Sequence, residues 1–367
     1  MIKYSNEELC LIWLDSFIGL DSVHKQRLYG LIHGRTEIKK LIEQGKDYII
    51  SNISESMYRT VLSSSTAEYL GFVIEGLERR GIRAVTVVSD GYPLSLKNIP
   101  SPPLVLYCKG DAGLLKSKCF GIVGSRKSMP LSLSLAADYC RTLIKAGFTP
   151  VTGNADGVDK TALSAALENG GKAVSVLAGG FDNVYPKSNA QLLEKIAQNG
   201  LVITESPPEV VPLKFLFPIR NRIIAALSEG VLIVSGGIKS GALYTAEFAE
   251  EYGKDVFVIP YSPHISSGAG CNDLLKRSKN IMLTDRPEDI TDYYGINVAG
   301  KEKEILSPLE SDVLRVLSDG ELHIDKICSA VGKRVFEVLP VLSMLEIKGL
   351  IVKNGTNVYA TAKNLED

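Results

Sequence analysis

The pattern of hydrophobic and polar positions changes twice along the chain and divides it into three parts. In the first part, residues 1–80, apolar side chains such as Leu9, Ile12 and Trp13 recur at helical spacing. This spacing predicts a small helical domain of the SAM or helix-hairpin-helix type. The segment 18–32 matches that type best, but it is not rich in glycine. A packing or interaction role is therefore favoured over DNA binding for this domain.

In the second part, residues 81–295, short apolar runs alternate with amphipathic stretches. The first thirty residues are a transition, with a strand-like segment at 82–88 and a rigid proline-rich joint at 100–103. Beyond it, apolar strands that alternate with helices predict a mainly parallel sheet covered on both faces. The predicted strands are 119–123, 149–152, 173–177, 201–204, 231–234, 256–259 and 281–283. The predicted helices lie near 131–146, 159–168, 189–198, 221–227, 242–252 and 271–278.

The third part, residues 305–367, follows a predicted linker at 290–305 that contains the charged run 301–304. Its pattern gives three helices and then two short strands around Asn354-Gly355, which is the order of a winged helix. The fold class is therefore α/β: an extended Rossmann-like, doubly wound, mainly parallel sheet with an N-terminal small helical domain and a C-terminal winged-helix domain. In such a sheet the binding crevice is expected beyond the carboxyl ends of the strands.

Charge and composition restrict the chemistry. The chain has 41 Lys and Arg against 42 Asp and Glu, so affinity for phosphate has to come from a local patch. Its six cysteines form no CxxC pair and its four histidines form no cluster, and we expect neither a metal site nor a cofactor. The N-terminus lacks the basic head of a signal peptide, and no apolar run approaches roughly 18 residues. A cytoplasmic protein without a membrane span is expected.

Two glycine-containing loops follow the first two core strands. Gly124 exposes backbone N–H groups, Ser125 can donate a hydroxyl, and Arg126 offers a planar fork for phosphate oxygens. The alternative is a surface turn with an exposed arginine. The second loop opens with Gly153 and is either a second phosphate cradle or the site of an acidic pair, Asp156 and Asp159, for acid/base chemistry or Mg²⁺ binding. For Asp159 we favour a third interpretation, a cap on the helix that would begin at Lys160.

Two later segments carry cations beside a predicted helix start. Lys187 precedes a helix N-terminus, where a cation is disfavoured unless an anion binds there. The segment 215–224 places Phe215 and Phe217 close to two arginines, and aromatic rings with arginines are the chemistry of single-strand binding. The alternative is that the aromatics belong to the core and that Arg220 forms an internal ion pair.

The loop after the fifth core strand contains Lys239, Ser240 and Gly241, which suit an anion at the start of the next helix. The order of a P-loop is absent, so ATP hydrolysis is not supported. Because parallel strands deliver their loops to one sheet edge, we expect these loops to form a single anion-binding crevice.

The order of these segments resembles the DNA-processing protein A (DprA/Smf) family. The motifs that carry the resemblance include Tyr92-Pro93-Leu94, Ile122-Val123-Gly124-Ser125-Arg126, Tyr185-Pro186-Lys187-Ser188-Asn189 and the segment FPIRNRII at 217–224. The resemblance implies a homodimer through the Rossmann core that binds single-stranded DNA without enzymatic turnover. It also implies protection of incoming DNA and loading of the RecA recombinase in natural transformation and homologous recombination. The DNA-binding residues that it implies are Gly124, Ser125, Arg126, Lys187, Asn189, Arg220, Asn221, Arg222, Ser240 and Gly241, to which the loop patterns add Gly153 and Lys239.

Three positions depart from the family pattern. Asp156 stands where the family usually has arginine, Leu163 where it has histidine, and Ser235 where an acidic residue is common. A carboxylate at 156 would repel a phosphate unless it points away or binds a cation. The departures indicate a divergent member.

Two other functions compete with DNA binding in the core. One is a nucleotide-binding sensor or a nucleotide phosphoribohydrolase-like enzyme in the same crevice, although Gly236-Gly237 and Glu247 match that enzyme's loop only loosely. The other makes the winged helix a reader of double-stranded DNA. Its presumed recognition helix starts with Lys333 and Arg334 but then carries acidic residues, which favours a protein-interaction role.

Overall fold

The structure is a computed structural model in which the chain divides into two compact units, Met1–Val298 and Ala299–Asp367. Of the predicted linker at 290–305, residues 299–305 lie outside the described residues, and its predicted start at 290 is wrong because a helix at Pro287–Tyr293 covers the first four positions. The residues that the structure describes are 3–31, 37–298, 306–318, 320–347 and 350–361.

The first unit begins with a bundle of helices. Helix α1, Asn6–Asp15, starts with a capping box, in which the Ser5 hydroxyl accepts the Glu8 N–H and the Glu8 carboxylate accepts the Ser5 N–H. At the centre of the bundle, Trp13 is fully buried and its indole N–H donates to the carbonyl of Ser64 at 2.8 Å. The helices of the bundle are α1 Asn6–Asp15, α2 Ser22–Leu31, α3 Ile38–Asn52, α4 Glu55–Ser63 and α5 Ala67–Arg79.

The rest of the first unit is a sheet covered by helices. Its strands are β1 Arg83–Thr86, β2 Val105–Gly110, β3 Cys119–Val123, β4 Thr149–Thr152, β5 Val174–Val176, β6 Leu201–Thr204, β7 Ser228–Ile233, β8 Asp255–Val258 and β9 Ile281–Leu283. Its helices are α6 Leu94–Lys97, α7 Pro130–Lys145, α8 Val158–Glu168, α9 Ala190–Asn199, α10 Leu216–Leu227, α11 Ala242–Glu251, α12 Ala269–Arg277 and α13 Pro287–Tyr293. Short 3₁₀ turns lie at Ala112–Lys116, Phe181–Asn183, Lys187–Asn189 and Ser266–Gly268.

Within the described residues the strand order is β1-β2-β6-β5-β4-β3-β7-β8-β9. From β6 to β9 all neighbours are parallel, whereas β1 and β2 extend the sheet in antiparallel pairing. The chain moves outward from β3 to β4, β5 and β6, and then returns through α10 to β7 on the other side of β3. This reversal is a topological switch point, and it opens a crevice at the carboxyl ends of β3 and β7.

The two faces of the sheet build two cores from alternating residues. On β3, Phe120 and Ile122 pack with α7, α8 and α13, while Val123 packs with α10 and α11 on the opposite face. Phe120 is fully buried, and its ring lies 5.4 Å from Phe148 and 6.0 Å from Phe257 between centroids. The predicted α/β class with a doubly wound, mainly parallel sheet is thus confirmed.

The helical bundle packs directly on the antiparallel end of the sheet. The Lys25 ammonium lies 3.0 Å from the Asp15 carboxylate, and the Tyr107 hydroxyl of β2 donates to the same carboxylate at 2.8 Å. Burial raises the pKa of Tyr107 well above its ordinary value, and the neighbouring carboxylate adds to the rise. Because the bundle and the sheet share one apolar core, the division between 1–80 and 81–295 stays a prediction.

The second unit has the winged-helix arrangement expected from the sequence. Its strands form a small antiparallel sheet in the order β10-β12-β11, and its core includes Val313, Ile327, Val338 and Leu342. Its elements are α14 Pro308–Leu317, β10 Leu322–His323, α15 Ile324–Val331, α16 Val335–Ile347, β11 Ile351–Lys353 and β12 Val358–Thr361.

Phe120→Ala tests the central position of β3. We expect it to lower the free energy of unfolding by about 3–5 kcal/mol, since it leaves a cavity among buried rings. Urea unfolding of the full chain measures the effect. The control is Phe72→Ala, whose ring is 65% exposed and should change stability by no more than about 0.5 kcal/mol. Equal effects of the two substitutions would contradict this description of the core.

Candidate functional site

The loops at the switch point surround a cleft of about 680 Å³. Its walls come from the ends of β3 and β4, the start of α10 and the start of α11. The residues that line it include Gly124, Arg126, Ala155, Asp159, Tyr185, Pro212, Lys214, Phe217, Arg220, Asn221, Ser240, Gly241 and Thr245. The expected crevice therefore exists at the expected edge of the sheet.

Arg220 of α10 forms the inner wall of the cleft. Its side chain is buried, and its guanidinium donates to the carbonyl of Val176 at the end of β5 and to the Asn221 side chain at 3.0 Å. Burial lowers the pKa of Arg220 to about 10. Gly153 makes room for it, because a Cβ there would lie 2.4 Å from the guanidinium.

Asp159 supplies a compensating negative charge for Arg220. It is buried in the first turn of α8, and its Oδ2 accepts the Ala155 N–H at 3.3 Å. Burial raises the pKa of Asp159, whereas the charge of Arg220 lowers it. The predicted helix cap is wrong, because a cap at Asp159 requires the helix to begin at Lys160, whereas α8 begins two residues earlier and its N-cap is Gly157, with φ of 78°.

Aromatic rings and a cation form the outer wall. The Arg126 guanidinium lies over the Phe217 ring at 4.9 Å from its centroid, and the Tyr185 ring meets Phe217 edge-on at 5.9 Å. Phe217 and Arg220 are three residues apart on α10, so both reach the same side of the helix. The result is a stacked aromatic and cationic surface at the mouth of the cleft, which we call the stacking platform: Arg126, Tyr185 and Phe217.

The loop after β7 forms the third wall. Ser240 and Gly241 lie immediately before α11, with Gly241 as its N-cap. The Asn221 side-chain amide donates to the Gly241 carbonyl at 3.0 Å, which joins α10 to this loop. Thr245 lies one turn further along α11. Its hydroxyl is buried and finds no hydrogen-bond partner among the described residues.

The structure brings only some of the predicted site residues to the cleft. Those that line the cleft are Gly124, Arg126, Arg220, Asn221, Ser240 and Gly241, and Gly153 lies directly beneath Arg220. Lys187 and Lys239 are exposed on loops outside the cleft lining. The Ser125 hydroxyl is occupied locally, since it donates to the Lys127 carbonyl at 3.2 Å.

Asn189 has a supporting position. It is fully buried, and its amide donates to the carbonyl of Asn154 at 3.0 Å, while the Asn154 amide donates to the Tyr185 carbonyl at 3.2 Å. These bonds hold the loop that presents Tyr185. Asn189 is therefore placed to fix the stacking platform and not to touch a ligand directly.

The prediction that Arg222 shares the rim with Arg126 and Lys187 is wrong. Arg222 is buried on the opposite side of α10, where its guanidinium lies 2.6 Å from the Glu205 carboxylate. Successive helix residues are about 100° apart, so Arg220 and Arg222 point about 200° apart and cannot line one wall. Helical geometry alone could have separated the two arginines.

Sequence reasoning missed Pro212, Lys214 and Thr245, which come from a loop and from the second turn of a helix. Lys214 is exposed and directly precedes the aromatic segment 215–224. This position beside the aromatic residues is the one feature of the sequence that could have indicated it. Of the departures, Asp156 is exposed and 3.4 Å from the Ser188 hydroxyl, whereas Ser235 is buried and accepts the Ser125 N–H at 3.3 Å.

Comparison with known proteins matches this core and its flanking domain to two family models. The model of DNA recombination-mediator protein A matches residues 83–295, which is more than half of the chain, and the DprA winged helix domain matches residues 299–354. The chain belongs to the DprA family. This membership confirms the resemblance drawn from the motifs.

Relatives of this DprA family member are known in sequence and in structure. DNA processing protein DprA of Bacillus subtilis is 40% identical over 52% of this chain, although the match spans only 64% of that relative. The X-ray structure of DprA from Streptococcus pneumoniae superposes with a TM-score of 0.65 at 30% identity, over 79% of this chain and 98% of the other. A DprA structure from Helicobacter pylori, whose report concerns its single-stranded DNA binding mode, gives 0.53 at 30% identity, over 58% and 95%.

The described residues of this DprA family member contain neither a metal-binding cluster nor a membrane-spanning helix. Among the described residues, no group of three or more histidine, cysteine or acidic side chains is arranged to hold a metal ion. In the same part of the chain, none of the helices combines the length and apolar character needed to cross a bilayer.

Gly153→Ala tests the close approach of Arg220 to the backbone. We expect a loss of about 1–3 kcal/mol in unfolding free energy, because the new methyl group would displace a guanidinium and a carboxylate that are both buried. Thermal unfolding measures it. The control is Gly71→Ala in the middle of α5, where a Cβ meets nothing within 4 Å and should stabilise by up to about 1 kcal/mol. Unchanged stability in Gly153→Ala would mean that the two groups are not packed against this glycine.

Proposed function

We propose that this chain binds single-stranded DNA in the cleft at the switch point. The observation that carries the proposal is the stacking platform, in which Arg126 lies over Phe217 with Tyr185 beside it. Arginine on an aromatic ring offers both a flat surface for a base and a charge for the neighbouring phosphate. The single-stranded DNA binding mode of the Helicobacter pylori relative supports the same role.

The charges around the cleft favour a polyanion although the whole chain has a net charge of −1. Arg220 contributes little of this attraction, because Asp159 compensates its buried charge. The exposed cations Lys187, Lys214 and Lys239 remain, together with the N-terminus of α11 at Gly241. We therefore assign phosphate contacts to the rim and assign to Arg220 the role of shaping the wall.

The geometry favours an unpaired strand over a duplex. Phe217 is only partly exposed and lines the cleft, so a base reaches it only when it is free to turn out of a stack. A duplex keeps its bases paired inside and presents mainly its backbone to such a surface. Low sequence preference follows, because every base has a face that stacks.

On this basis we also propose the finer role that the family resemblance implies. The chain would dimerise through its core, protect incoming single strands in the cytoplasm and load the RecA recombinase on them, without chemical turnover of its own. Membership of a family described as recombination mediators supports the loading step. A protein that holds a strand through its rim leaves part of the strand accessible to a second protein.

One observation favours the second candidate, a nucleotide sensor or nucleotide hydrolase. Asp159 brings a buried carboxyl with a raised pKa into a cleft of nucleotide size. Against it, Glu247 is not among the cleft residues, and its carboxylate lies 3.4 Å from Arg277 at the surface. The hydrolase hypothesis therefore lacks Glu247, the acidic residue on which the comparison with the phosphoribohydrolase loop depended.

Arg126→Ala tests the platform. We expect affinity for a labelled oligo-dT to fall about tenfold, which is about 1.4 kcal/mol. The slope of log affinity against log salt should shrink by about 0.7, as expected for one lost phosphate contact. The matched control is Arg141→Ala, an exposed arginine near the end of α7, which should change neither quantity.

Two results of this titration would contradict DNA binding in the cleft. One is an affinity that Arg126→Ala and added salt both leave unchanged. The other is release of free base from nucleoside monophosphates by the wild-type chain, lost in Asp159→Asn, which would support the hydrolase instead.

Recombinase loading has its own test. We expect the wild-type chain to shorten the lag of RecA filament assembly on single strands coated with single-strand-binding protein, because this chain and RecA would bind the same strand. Arg126→Ala should restore the lag, and Arg141→Ala should not. If the wild-type chain or Arg141→Ala binds oligo-dT but leaves the lag of RecA assembly as long as it is without the protein, recombinase loading is refuted and DNA binding is not.

A further inference from the structure

A second cavity lies between the helical bundle and the sheet, apart from the cleft. Its volume is about 530 Å³, which is in the size range of sites for small molecules, and such sites often lie where two substructures meet. Among the described residues, its lining shares no member with the lining of the cleft. We call it the bundle cavity, and the residues that line it include Ile18, Lys25, Leu104, Glu205, Phe215 and Ile219.

The start of α10 and the loop before it form a wall between the two spaces. Leu213, Phe215 and Ile219 line the bundle cavity, whereas Lys214 and Phe217 line the cleft. Neighbouring residues of one segment therefore serve opposite sides of the wall. A molecule in the bundle cavity would not take the place of a base on Phe217, so this is a separate site.

Two buried ion pairs belong to this cavity. Lys25 and Asp15 are 3.0 Å apart, and Arg222 and Glu205 are 2.6 Å apart. Burial raises the pKa of Glu205, the charges of Arg222 and Lys25 lower it and that of Asp15 raises it, so the two pairs act on one another. Asp21, the remaining acid of the lining, is exposed to water, which screens its charge. The four buried charges sum to zero, so a net charge on a ligand would remain uncompensated.

Each pair leaves one hydrogen-bonding position unused. The Lys25 ammonium donates to the Asp15 carbonyl at 2.6 Å and to its carboxylate at 3.0 Å, so its third N–H has no acceptor among the described residues. One carboxylate oxygen of Glu205 accepts from Arg222 at 2.6 Å, and the other accepts nothing from the described part of the chain. The cavity therefore offers one donor and one acceptor, both on charged groups whose charge is already paired.

We propose that the bundle cavity binds an uncharged small molecule whose apolar body carries one amide. The amide carbonyl accepts from Lys25 and the amide N–H donates to Glu205, which completes the hydrogen bonds of both groups without adding a charge. The apolar groups of the molecule cover Ile18, Phe215 and Ile219, which are exposed around the opening. The proposal does not depend on DNA binding in the cleft.

The amide is tested by changing the ligand. Substitution of Lys25 or Glu205 would leave a buried partner uncompensated and unfold the chain for unrelated reasons. The probe is N-phenethylpentanamide, which has a secondary amide between two apolar groups. Phenethyl pentanoate has nearly the same shape but lacks the N–H, and N-pentylphenethylamine lacks the carbonyl and is protonated at neutral pH. In calorimetric titration of the full chain, both should bind about tenfold more weakly than the amide, because each loses a hydrogen bond to a charged group.

Substitutions around the opening locate the probe. The Phe215 ring is 60% exposed, so the fold does not depend on it, and Phe215→Ser should weaken binding of the amide about tenfold by removing apolar cover. Ile18→Ser tests the opposite side of the opening and should act in the same direction. The matched control is Phe72→Ser, an exposed ring on α5 outside the cavity lining, which should change the affinity by less than about twofold. Arg126→Ala in the cleft should leave it unchanged.

The outcomes decide the proposal independently of the function of the cleft. Tighter binding of the amide than of both analogues, weakened by Phe215→Ser and by Ile18→Ser but by neither control, supports it. No binding of the amide, an ester or amine that binds as tightly, or an equal loss in Phe72→Ser overturns it. A loss in Arg126→Ala with none in Phe215→Ser would place the probe in the cleft and overturn it as well. Oligo-dT titration of wild-type chain and Arg126→Ala reports on the cleft alone, so failure of either proposal is recognised separately.

Discussion

A buried guanidinium at the carboxyl edge of the sheet fixes the site around it. Arg220 needs hydrogen-bond acceptors and a counter-charge because it has left water, and it finds them in the Val176 carbonyl and Asp159. Those groups belong to β5 and α8, so satisfying one side chain positions α10 against two other elements. The approach is close enough that position 153 has room only for glycine. Phe217, three residues earlier on α10, is held at the mouth of the cleft as a consequence.

In this arrangement buried and exposed charges have different roles. Burying Arg220 and Asp159 costs desolvation free energy and holds both side chains rigidly. The two opposite charges therefore define the shape of the cleft and contribute little attraction for a distant anion. Lys187, Lys214 and Lys239 are hydrated and can exchange counterions for phosphates. A protein of nearly balanced charge can thus hold a polyanion, because only the rim has to be basic.

The fold was accessible from the sequence because its signals are local. Apolar strands and amphipathic helices alternate in register with the sheet, and every parallel strand was predicted. β2 was not, because the prolines before it indicate an extended joint and its antiparallel partner β6 lies far away in sequence. The site was accessible only in part. The loop glycines and Arg126 belong to sequence patterns that indicate an anion site. Whether Asn189 and Arg222 reach the cleft depends on which side of a turn or helix each occupies, which the motifs do not state. Thr245 belongs to no recognisable pattern.

The strand order also has a consequence for synthesis. β3 lies at the centre of the parallel part of the sheet, yet it pairs with β7 through Cys119 beside Ser228, more than one hundred residues later in the chain. Pairings this distant are slow to form, and domains emerge from the ribosome with the N-terminal end first. The nascent chain therefore carries an unpaired, fully apolar edge until β7 has left the exit tunnel. During that interval the growing polypeptide depends on chaperones or on speed of elongation to avoid aggregation, and the ligand cleft cannot exist before the interval ends.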